Sequence, residues 1–294
     1  MATPDITTLP RPIALVLSGG ASLGAIQVGQ LRAVAEAGLV PDLVVGTSVG
    51  ALNGIFMAGG FSPARVEALA QVWLRLRRGE VFGGVGLASI VRMLRGGGTL
   101  ASSAGLESLV ARELPRQSSD LALPAHVVAV DYLTGRPVVL SDGDLRRNAL
   151  ASAAIPNVFP PVEVAGRLLV DGGLSANVPV GPAARLGART LVVLDAGYPC
   201  ALAAPPRGLI AGIMHTMTLA LRNQVNLTLP ALARDRVVVY LPAPCPLSTA
   251  PHDFSRTAEL ISAGHEVARG FLSQLVVGEP GVYGHPHFHG EEPT

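Results

Sequence analysis

Short hydrophobic runs alternate with longer segments of helical periodicity along most of the chain. The run PIALVLS, beginning at Pro12, predicts a buried strand, and Ala25–Ala37 has apolar positions at helical spacing. A second strand–helix unit follows. DLVVG from Asp42 predicts its strand, and SVGALNGIFMAGG from Ser48 predicts its helix. Two such units in succession favour parallel strands joined by right-handed crossovers. The pattern predicts an α/β three-layer sandwich, with a mostly parallel central sheet flanked by helices.

Further elements follow along the chain. Ser62-Pro63 is a helix-start signal for a third helix, and Gly208–Leu221 predicts a buried or amphipathic helix that is too interrupted by polar residues to span a membrane. The segment DFSRTAELISAGHEVARGFLSQL predicts a long closing amphipathic helix. Later strands are predicted at Ala125–Val130, Pro137–Leu140, Arg167–Val170, Thr190–Asp195 and Val237–Leu241.

No convincing linker divides the chain, so we expect one domain over residues 13–276 after an N-terminal extension of residues 1–12. Between residues 80 and 120 the pattern loosens around a short apolar helix at Leu87–Leu94. This variable segment is a candidate lid or interfacial element, with an ordinary surface helix as the alternative. The last residues, 277–294, form a His/Pro/Gly-rich stretch that we expect to be disordered.

Composition excludes several classes of function. The chain is 49% hydrophobic and 15% charged, and its net charge is +1. Its basic residues are scattered arginines, which is not the footprint of a nucleic-acid-binding protein. Cys200 and Cys245 lack the spacing of a zinc site and are interpreted as structural thiols. No metal or cofactor is predicted, and the absence of a signal-peptide pattern leads us to expect a cytoplasmic protein.

The pattern Gly-x-Ser-x-Gly, which often marks a nucleophilic serine, occurs twice. One copy is centred on Ser48 between Gly46 and Gly50, and the other on Ser22 between Gly20 and Gly24. A nucleophile elbow requires a strand that runs almost directly into the serine and a helix that begins behind it. Ser48 meets this condition, whereas Ser22 follows the strand at a distance and is interpreted as an N-cap or helix-start residue.

The loop before Ser22 nevertheless has a chemical use. Gly19, Gly20 and Ala21 lack bulk, so their N–H groups can approach a ligand closely and stabilise an oxyanion. A dinucleotide site is disfavoured, because the glycine spacing differs from Gly-x-Gly-x-x-Gly and no acidic residue closes the second strand.

A serine nucleophile needs a base, and no histidine has a local setting that suggests one. His285, His287 and His289 lie in the terminal stretch, and the other four fall in or beside predicted elements: His126, His215, His252 and His265. Asp171 offers another solution, because it ends a strand and is followed by Gly172-Gly173 at an open edge. Partial burial would raise the pKa of its carboxyl group and make it a better base.

Three motifs resemble those of the patatin-like phospholipases: the glycine-rich loop Gly19–Gly24, the Gly46–Gly50 pentapeptide and Asp171-Gly172-Gly173. Together with ASAAIPNVFPPV from Ala151 and the closing helix, they extend the resemblance over roughly Ile13–Ala268. The resemblance implies a Ser-Asp dyad without histidine, with Ser48 as nucleophile and Asp171 as general base. It also implies an oxyanion hole at Gly19, Gly20 and Ala21, supported by Gly24, Gly46, Gly50, Gly172 and Gly173. The chain departs from the family pattern in having Ala21 for a third glycine and Leu23 for a common basic residue.

The resemblance and the residues together predict a carboxylic ester hydrolase of the phospholipase, lysophospholipase or esterase type. The expected substrate is a phospholipid or another fatty-acyl ester, with a candidate peripheral contact to a membrane. Three alternatives stay open: an acyltransferase that passes the acyl group to a non-water acceptor, a Ser-His acyltransferase on a similar sheet, and a non-catalytic lipid-binding module.

Overall fold

A nine-stranded sheet runs through the computed structural model of the chain, which describes residues 8–83, 99, 101–200, 202, 204–222 and 224–286. Five of its strand pairs are parallel and three are antiparallel, which confirms the mostly parallel sheet that the sequence predicts. The strands are β1 Ile13–Leu17, β2 Leu43–Thr47, β3 Ala125–Asp131, β4 Pro137–Leu140, β5 Val162–Val164, β6 Arg167–Asp171, β7 Thr190–Leu194, β8 Val237–Leu241 and β9 Gly281–Tyr283.

Helices cover both faces of this sheet. In the described part of the chain they are α1 Gly24–Glu36, α2 Val49–Ala58, α3 Pro63–Arg75, α4 Arg78–Phe82, α5 Ala104–Glu113, α6 Leu145–Ser152, α7 Gly173–Ala176, α8 Val180–Arg185, α9 Leu209–Arg222, α10 Gln224–Leu232 and α11 Thr257–Gln274. None of these helices is long and apolar enough to cross a lipid bilayer.

The central strands are buried on both faces, as parallel strands between two helical layers must be. Along β1, Ile13, Leu15 and Leu17 pack into the larger hydrophobic cluster. The alternate residues Ala14 and Val16 pack into a second cluster on the opposite face. The core therefore lies in two layers separated by the sheet.

Strand β3 decides where the ends of β2 and β6 lie. Val127 and Val128 pair with both β2 and β4, so those two strands occupy opposite edges of β3. Ala129 and Val130 pair with both β4 and β6, so β6 shares an edge of β3 with β2. Strands β2 and β6 approach along this edge from opposite directions, and their carboxyl ends meet between Val128 and Ala129.

The structure departs from the sequence prediction near the C-terminus. Residues 281–283, expected in a disordered tail, form the edge strand β9 because they pair in parallel with β8. At the other end, the Pro10 and Pro12 carbonyl groups accept hydrogen bonds from Thr190 and so attach the expected extension to the sheet. The expected helix Leu87–Leu94 lies outside the described residues, as do most of the terminal histidines.

Candidate active site

Ser48 occupies a sharp turn between β2 and α2. Strand β2 ends at Thr47, and α2 begins at Val49, so the serine stands alone between them. Its backbone has φ 53° and ψ −125°, a conformation that non-glycine residues rarely adopt. This is the strained strand-to-helix geometry expected of a nucleophile elbow.

The glycines on either side of Ser48 allow strand and helix to approach closely. A Cβ atom at Gly46 would lie 2.4 Å from the carbonyl oxygen of Gly50. A Cβ atom at Gly50 would lie 2.4 Å from the carbonyl oxygen of Leu17 in β1. Both contacts are with backbone atoms that cannot rotate away, so the turn requires glycine at these positions for packing.

Asp171 lies against Ser48 at the carboxyl end of β6. Ser48 Oγ donates a hydrogen bond to Asp171 Oδ2 at 2.7 Å, and the Gly173 N–H donates to Asp171 Oδ1 at 2.8 Å. Only 4% of Asp171 is exposed. Burial raises the pKa of its carboxyl group from 3.8 to about 6, although the two hydrogen bonds oppose this shift. The carboxylate is thus a stronger base than an exposed aspartate.

Glycine also fixes the turn that follows Asp171. A Cβ atom at Gly172 would lie 2.1 Å from the Val128 carbonyl oxygen, so the chain passes directly over β3 at this point. After Gly173, Gln224 of α10 donates to the carbonyl groups of Gly173 and Leu174 and accepts from the Asn177 N–H. The turn after Asp171 therefore packs on β3 on one side and is hydrogen-bonded to α10 on the other.

Ser152, at the end of α6, connects the two halves of the Ser-Asp pair. Its buried Oγ accepts the Ser48 N–H at 2.8 Å and donates to the Val128 carbonyl oxygen at 2.6 Å. Its own carbonyl oxygen accepts the Gly172 N–H at 3.4 Å. This residue could not be identified from the sequence, because the segment ASAAIPNVFPPV does not reveal where the hydroxyl group points.

The glycine-rich loop lies beside Ser48 but differs from the prediction at one position. The Gly19 N–H donates to the Asn177 carbonyl oxygen at 3.0 Å and is therefore not available to an oxyanion in this structure. The N–H groups of Gly20 and Ala21 find no acceptor among the described residues. Ala21 has φ 50°, in the left-handed region that glycine adopts without strain.

Ser22 takes no part in this pair and does not cap α1. It lies in a 3₁₀ turn, Ala21–Leu23, and its Oγ donates to the Ala250 carbonyl oxygen at 3.2 Å. No side chain caps α1, whose N-cap residue is Leu23. The interpretation as a helix-start residue is therefore correct, and the N-cap interpretation is wrong.

A second polar cluster anchors the start of the glycine-rich loop. Ser18 Oγ donates to Asp195 Oδ1 at 3.0 Å and accepts the Ala196 N–H at 2.9 Å. Tyr240 donates its hydroxyl to Asp195 Oδ2 at 2.5 Å. Burial, followed by the charge of Asp195, raises the pKa of Tyr240 well above its usual value and keeps it a neutral donor.

Two cavities meet at Ser48. The first is called the polar chamber here because it contains the polar side chains of Ser48, Asp171, Asp195 and Tyr240. Hydrophobic residues, including Met217 and Leu221 of α9, make up most of its remaining lining beside the glycine-rich loop. The second, the apolar chamber, extends from Ser48 between α2, α3 and α5 and is lined almost entirely by hydrophobic side chains, among them Leu52, Phe56, Trp73, Leu109 and Phe159. Within the described part of the chain, no histidine lines either chamber.

The chain also matches the model of a known family. The family model for patatin-like phospholipase matches residues 15–184, which is more than half of the chain. The chain belongs to the patatin-like phospholipase family. The match spans the glycine-rich loop, the Ser48 turn and the Asp171 turn of this patatin-like domain.

Curated relatives of this patatin-like chain are much longer proteins. It is 34% identical over 188 residues to rat patatin-like phospholipase domain-containing protein 7. The match covers 63% of this chain and 14% of that relative. Human patatin-like phospholipase domain-containing protein 6 is 34% identical over 187 residues, covering 63% of this chain and 13% of that protein. The chain therefore spans about one seventh of the length of these relatives.

Solved structures show a more distant similarity. Human GIVD cytosolic phospholipase A2, in complex with methyl gamma-linolenyl fluorophosphonate, is 14% identical with a TM-score of 0.48. The alignment covers 89% of this chain and 58% of that one. VipD from Legionella pneumophila is 15% identical with a TM-score of 0.44, covering 90% of this chain and 67% of that one.

Proposed function

We propose that this chain hydrolyses carboxylic esters of fatty acids, including phospholipids or lysophospholipids, through an acyl-enzyme on Ser48. The observation that carries the proposal is the 2.7 Å hydrogen bond from Ser48 Oγ to the buried Asp171 carboxylate at the junction of two chambers. A hydroxyl nucleophile requires an adjacent base, and Asp171 is the base within reach. Membership of the patatin-like phospholipase family supports lipid esters as the substrate class.

In the first half-reaction, Asp171 Oδ2 accepts the proton of Ser48 as Oγ attacks the ester carbonyl carbon. Negative charge develops on the carbonyl oxygen, and the N–H groups of Gly20 and Ala21 are the proposed donors to it. The neutral Asp171 then protonates the departing alcohol, and the acyl group stays on Ser48. Removing one such oxyanion donor typically costs about 3 kcal/mol of transition-state stabilisation.

In the second half-reaction, water occupies the position that the alcohol has left. Asp171 takes a proton from this water, which attacks the acyl-enzyme carbonyl carbon and releases the fatty acid. The proton then returns to Ser48 Oγ. A carboxyl group with a pKa of about 6 suits both directions of transfer, because the best general bases have pKa values near the working pH.

The two chambers suggest where the parts of the substrate lie. The apolar chamber has almost no polar lining, so an acyl chain bound there would bury its methylene groups at about 0.8 kcal/mol each. The polar chamber, which contains Asp171 and the glycine-rich loop, would receive the alcohol portion and the attacking water.

A membrane or micelle surface would present such a substrate at the α9–α10 side of the polar chamber. Leu219 of α9 is 47% exposed and Leu227 of α10 is 84% exposed. We propose that these side chains contact the lipid surface. Sedimentation with phosphatidylcholine vesicles should show weaker binding of Leu227→Glu than of the unaltered chain, and equal binding would remove this part of the proposal.

Two variants test the catalytic proposal directly. Ser48→Ala removes the nucleophile, and Asp171→Asn removes the base with little change of shape. Both should retain the native circular dichroism spectrum and lose at least about 10³-fold in kcat on p-nitrophenyl esters. A fluorophosphonate probe should label the unaltered chain at Ser48 and leave Ser48→Ala unlabelled.

A folded Asp171→Asn variant with full activity would overturn the Ser-Asp pair. If an added alcohol diverts the acyl group without changing the rate of acyl-enzyme formation, the chain is an acyltransferase under those conditions. An unaltered chain that neither hydrolyses esters nor reacts with the probe would be a lipid-binding module instead.

A further inference from the structure

The two cysteines, interpreted from the sequence as structural thiols, face each other across adjacent loops. Cys200 lies in the segment after β7, and Cys245 lies in the segment after β8, its parallel neighbour. Their sulfur atoms are 3.8 Å apart, although the residues are 45 positions apart in the chain. Both are reduced in the structure. The two sulfur atoms come close because β7 and β8 are paired parallel strands, whose carboxyl ends lie side by side.

Backbone contacts hold the two loops in this register. The Cys200 N–H donates to the Leu247 carbonyl oxygen at 2.9 Å, and the Leu247 N–H donates to Cys200 Sγ at 3.2 Å. Cys200 is half-buried, whereas Cys245 is exposed. A disulfide bond requires the sulfur atoms to come within about 2.05 Å, so they must approach by less than 2 Å. Cys245 is the more exposed of the two, so its side chain has the greater freedom to move.

We propose that Cys200 and Cys245 form a site of reversible disulfide modification at the rim of the polar chamber, reacting with small-molecule disulfides such as glutathione disulfide. Cys200 itself lines this chamber. The chain between the two cysteines carries α9 and α10, and its residues Met217, Leu221 and Val225 form the chamber wall. The cross-link would therefore close a loop around the segment that borders Ser48.

The chemistry balances as two thiol–disulfide exchanges. The Cys245 thiolate attacks one sulfur of glutathione disulfide, forms a mixed disulfide and releases one glutathione thiolate. The Cys200 thiolate then attacks the Cys245 sulfur and releases the second glutathione. The two cysteines lose two protons and two electrons, and glutathione disulfide accepts both electrons to become two glutathione molecules.

The surroundings of Cys245 favour a slow, pH-dependent reaction. Burial, followed by the neighbouring Cys200 thiol, raises the pKa of the Cys245 thiol. Its thiolate fraction at neutral pH is therefore below that of an ordinary cysteine, and exchange should accelerate as the pH rises. Because Cys245 is exposed, the finished disulfide should also be readily reduced by dithiothreitol.

The test uses the full chain incubated with glutathione disulfide and analysed by intact mass and tryptic mapping. We expect a loss of mass equal to two hydrogen atoms and a peptide linking Cys200 to Cys245, both reversed by dithiothreitol. Since the bond closes a 45-residue loop, the oxidised chain should also unfold several degrees higher than the reduced chain. Neither measurement depends on ester hydrolysis, so the result stands apart from the proposed function.

Cys245→Ser is the matched control, because it removes the exposed thiol and leaves the contacts of Cys200 with Leu247 in place. It should show neither the linked peptide nor the rise in unfolding temperature. Cys200→Ser is the second control and should leave Cys245 able to form only a mixed disulfide. The proposal is overturned if the unaltered chain forms only the mixed disulfide, if it forms only dimers linked between chains, or if oxidation leaves the unfolding temperature unchanged.

Discussion

Ser152 Oγ accepts the backbone N–H of Ser48 at 2.8 Å, although the two residues are 104 positions apart in the chain. The same hydroxyl donates to the Val128 carbonyl oxygen, so Ser152 fixes the strained Ser48 turn to β3. Ser152 lines neither chamber. It is a positioning residue, and it acts on the reaction through Ser48.

Replacing Ser152 with alanine should lower kcat by about 10- to 100-fold and leave KM nearly unchanged, because the turn loses its anchor while the substrate chambers stay intact. The variant also leaves a buried N–H and a carbonyl group without their partner, which costs roughly 1–3 kcal/mol of stability. Steady-state kinetics on a soluble ester and thermal unfolding measure the two effects separately.

Two controls separate positioning from general destabilisation. Ser152→Thr keeps the hydroxyl group and should recover part of the lost kcat. Thr190→Val removes another buried hydroxyl, which donates to the Pro10 carbonyl oxygen at the opposite end of the sheet. It should lower stability without lowering kcat. Equal kcat losses in Thr190→Val and Ser152→Ala would contradict the positioning role.

The pKa of Asp171 predicts the pH dependence of activity. The base must be ionised, and burial raises its pKa to about 6. We therefore expect kcat/KM to rise with pH through a single ionisation near 6 and then to level off. A pH–rate profile of the unaltered chain measures this directly, and a profile that is flat between pH values well below and well above 6 would contradict it.

The same pKa shift predicts an opposite trend in stability. Because the folded-state pKa exceeds 3.8, the fold favours the protonated carboxyl group, and this contribution is lost as the pH rises through about 6. The difference between 3.8 and about 6 corresponds to roughly 3 kcal/mol. Asp171→Asn should therefore be more stable than the unaltered chain at mildly alkaline pH, by up to about that amount, and the difference should shrink below pH 4. Urea unfolding at both pH values measures it.

Glycine substitutions in α2 test the packing of the Ser48 turn. Gly50→Ala places a methyl group 2.4 Å from the backbone oxygen of Leu17, so strand and helix must separate. We expect a stability loss of about 1–3 kcal/mol and an activity loss of at least about tenfold. Gly54→Ala is the matched control in the same helix.

At Gly54 the added methyl group meets side chains alone, Val44 at 2.7 Å and Leu17 at 3.7 Å, and side chains can move. Both substitutions gain the same intrinsic helix propensity, so any difference between them reports the contact. Urea unfolding and ester hydrolysis of the pair give the comparison. Equal effects would show that the close approach of Gly50 to Leu17 is unimportant.

The proposed acyl site predicts a change of chain-length preference. Leu109 is a half-buried residue of the apolar chamber, so Leu109→Trp adds volume there with limited cost to the core. The ratio of kcat/KM for a palmitate ester to that for a butyrate ester should fall by about tenfold or more. Leu186→Trp, at the end of α8 and outside both chambers, should leave the ratio unchanged. An unaltered ratio in Leu109→Trp would place the acyl chain elsewhere.

The sequence predicted the site best where its signals are local. A buried strand leading directly into Ser48 and an Asp-Gly-Gly turn after β6 are both visible within a dozen residues, and the structure brings these two turns together. The hydrogen bond from Gly19 to Asn177 was not predictable, because it joins segments that are far apart in the chain and involves only backbone groups. Ser152 was missed because its hydroxyl group contacts Ser48 across 104 positions of the chain.

The edge strand β9 was missed because composition misled the prediction. Its surroundings are rich in glycine, proline and histidine, which is typical of disordered termini, yet Gly281–Tyr283 finds unpaired backbone groups along β8. The proximity of Cys200 and Cys245 depends on β7 and β8 being neighbours. That order follows from the whole topology, and no spacing rule for cysteines reveals it.

The meeting of β2 and β6 on one edge of β3 has a consequence for how such chains can vary. Thr47 pairs with Val128 and Asp171 with Ala129, so consecutive residues of one strand set the distance between the nucleophile turn and the base. Inserting a residue between Val128 and Ala129 would move the two turns apart by about 3.3 Å and turn one side chain to the other face of the sheet. The exposed turn between β3 and β4, residues 132–136, contains no partner of Ser48 or Asp171, so insertions there would leave the two residues in contact.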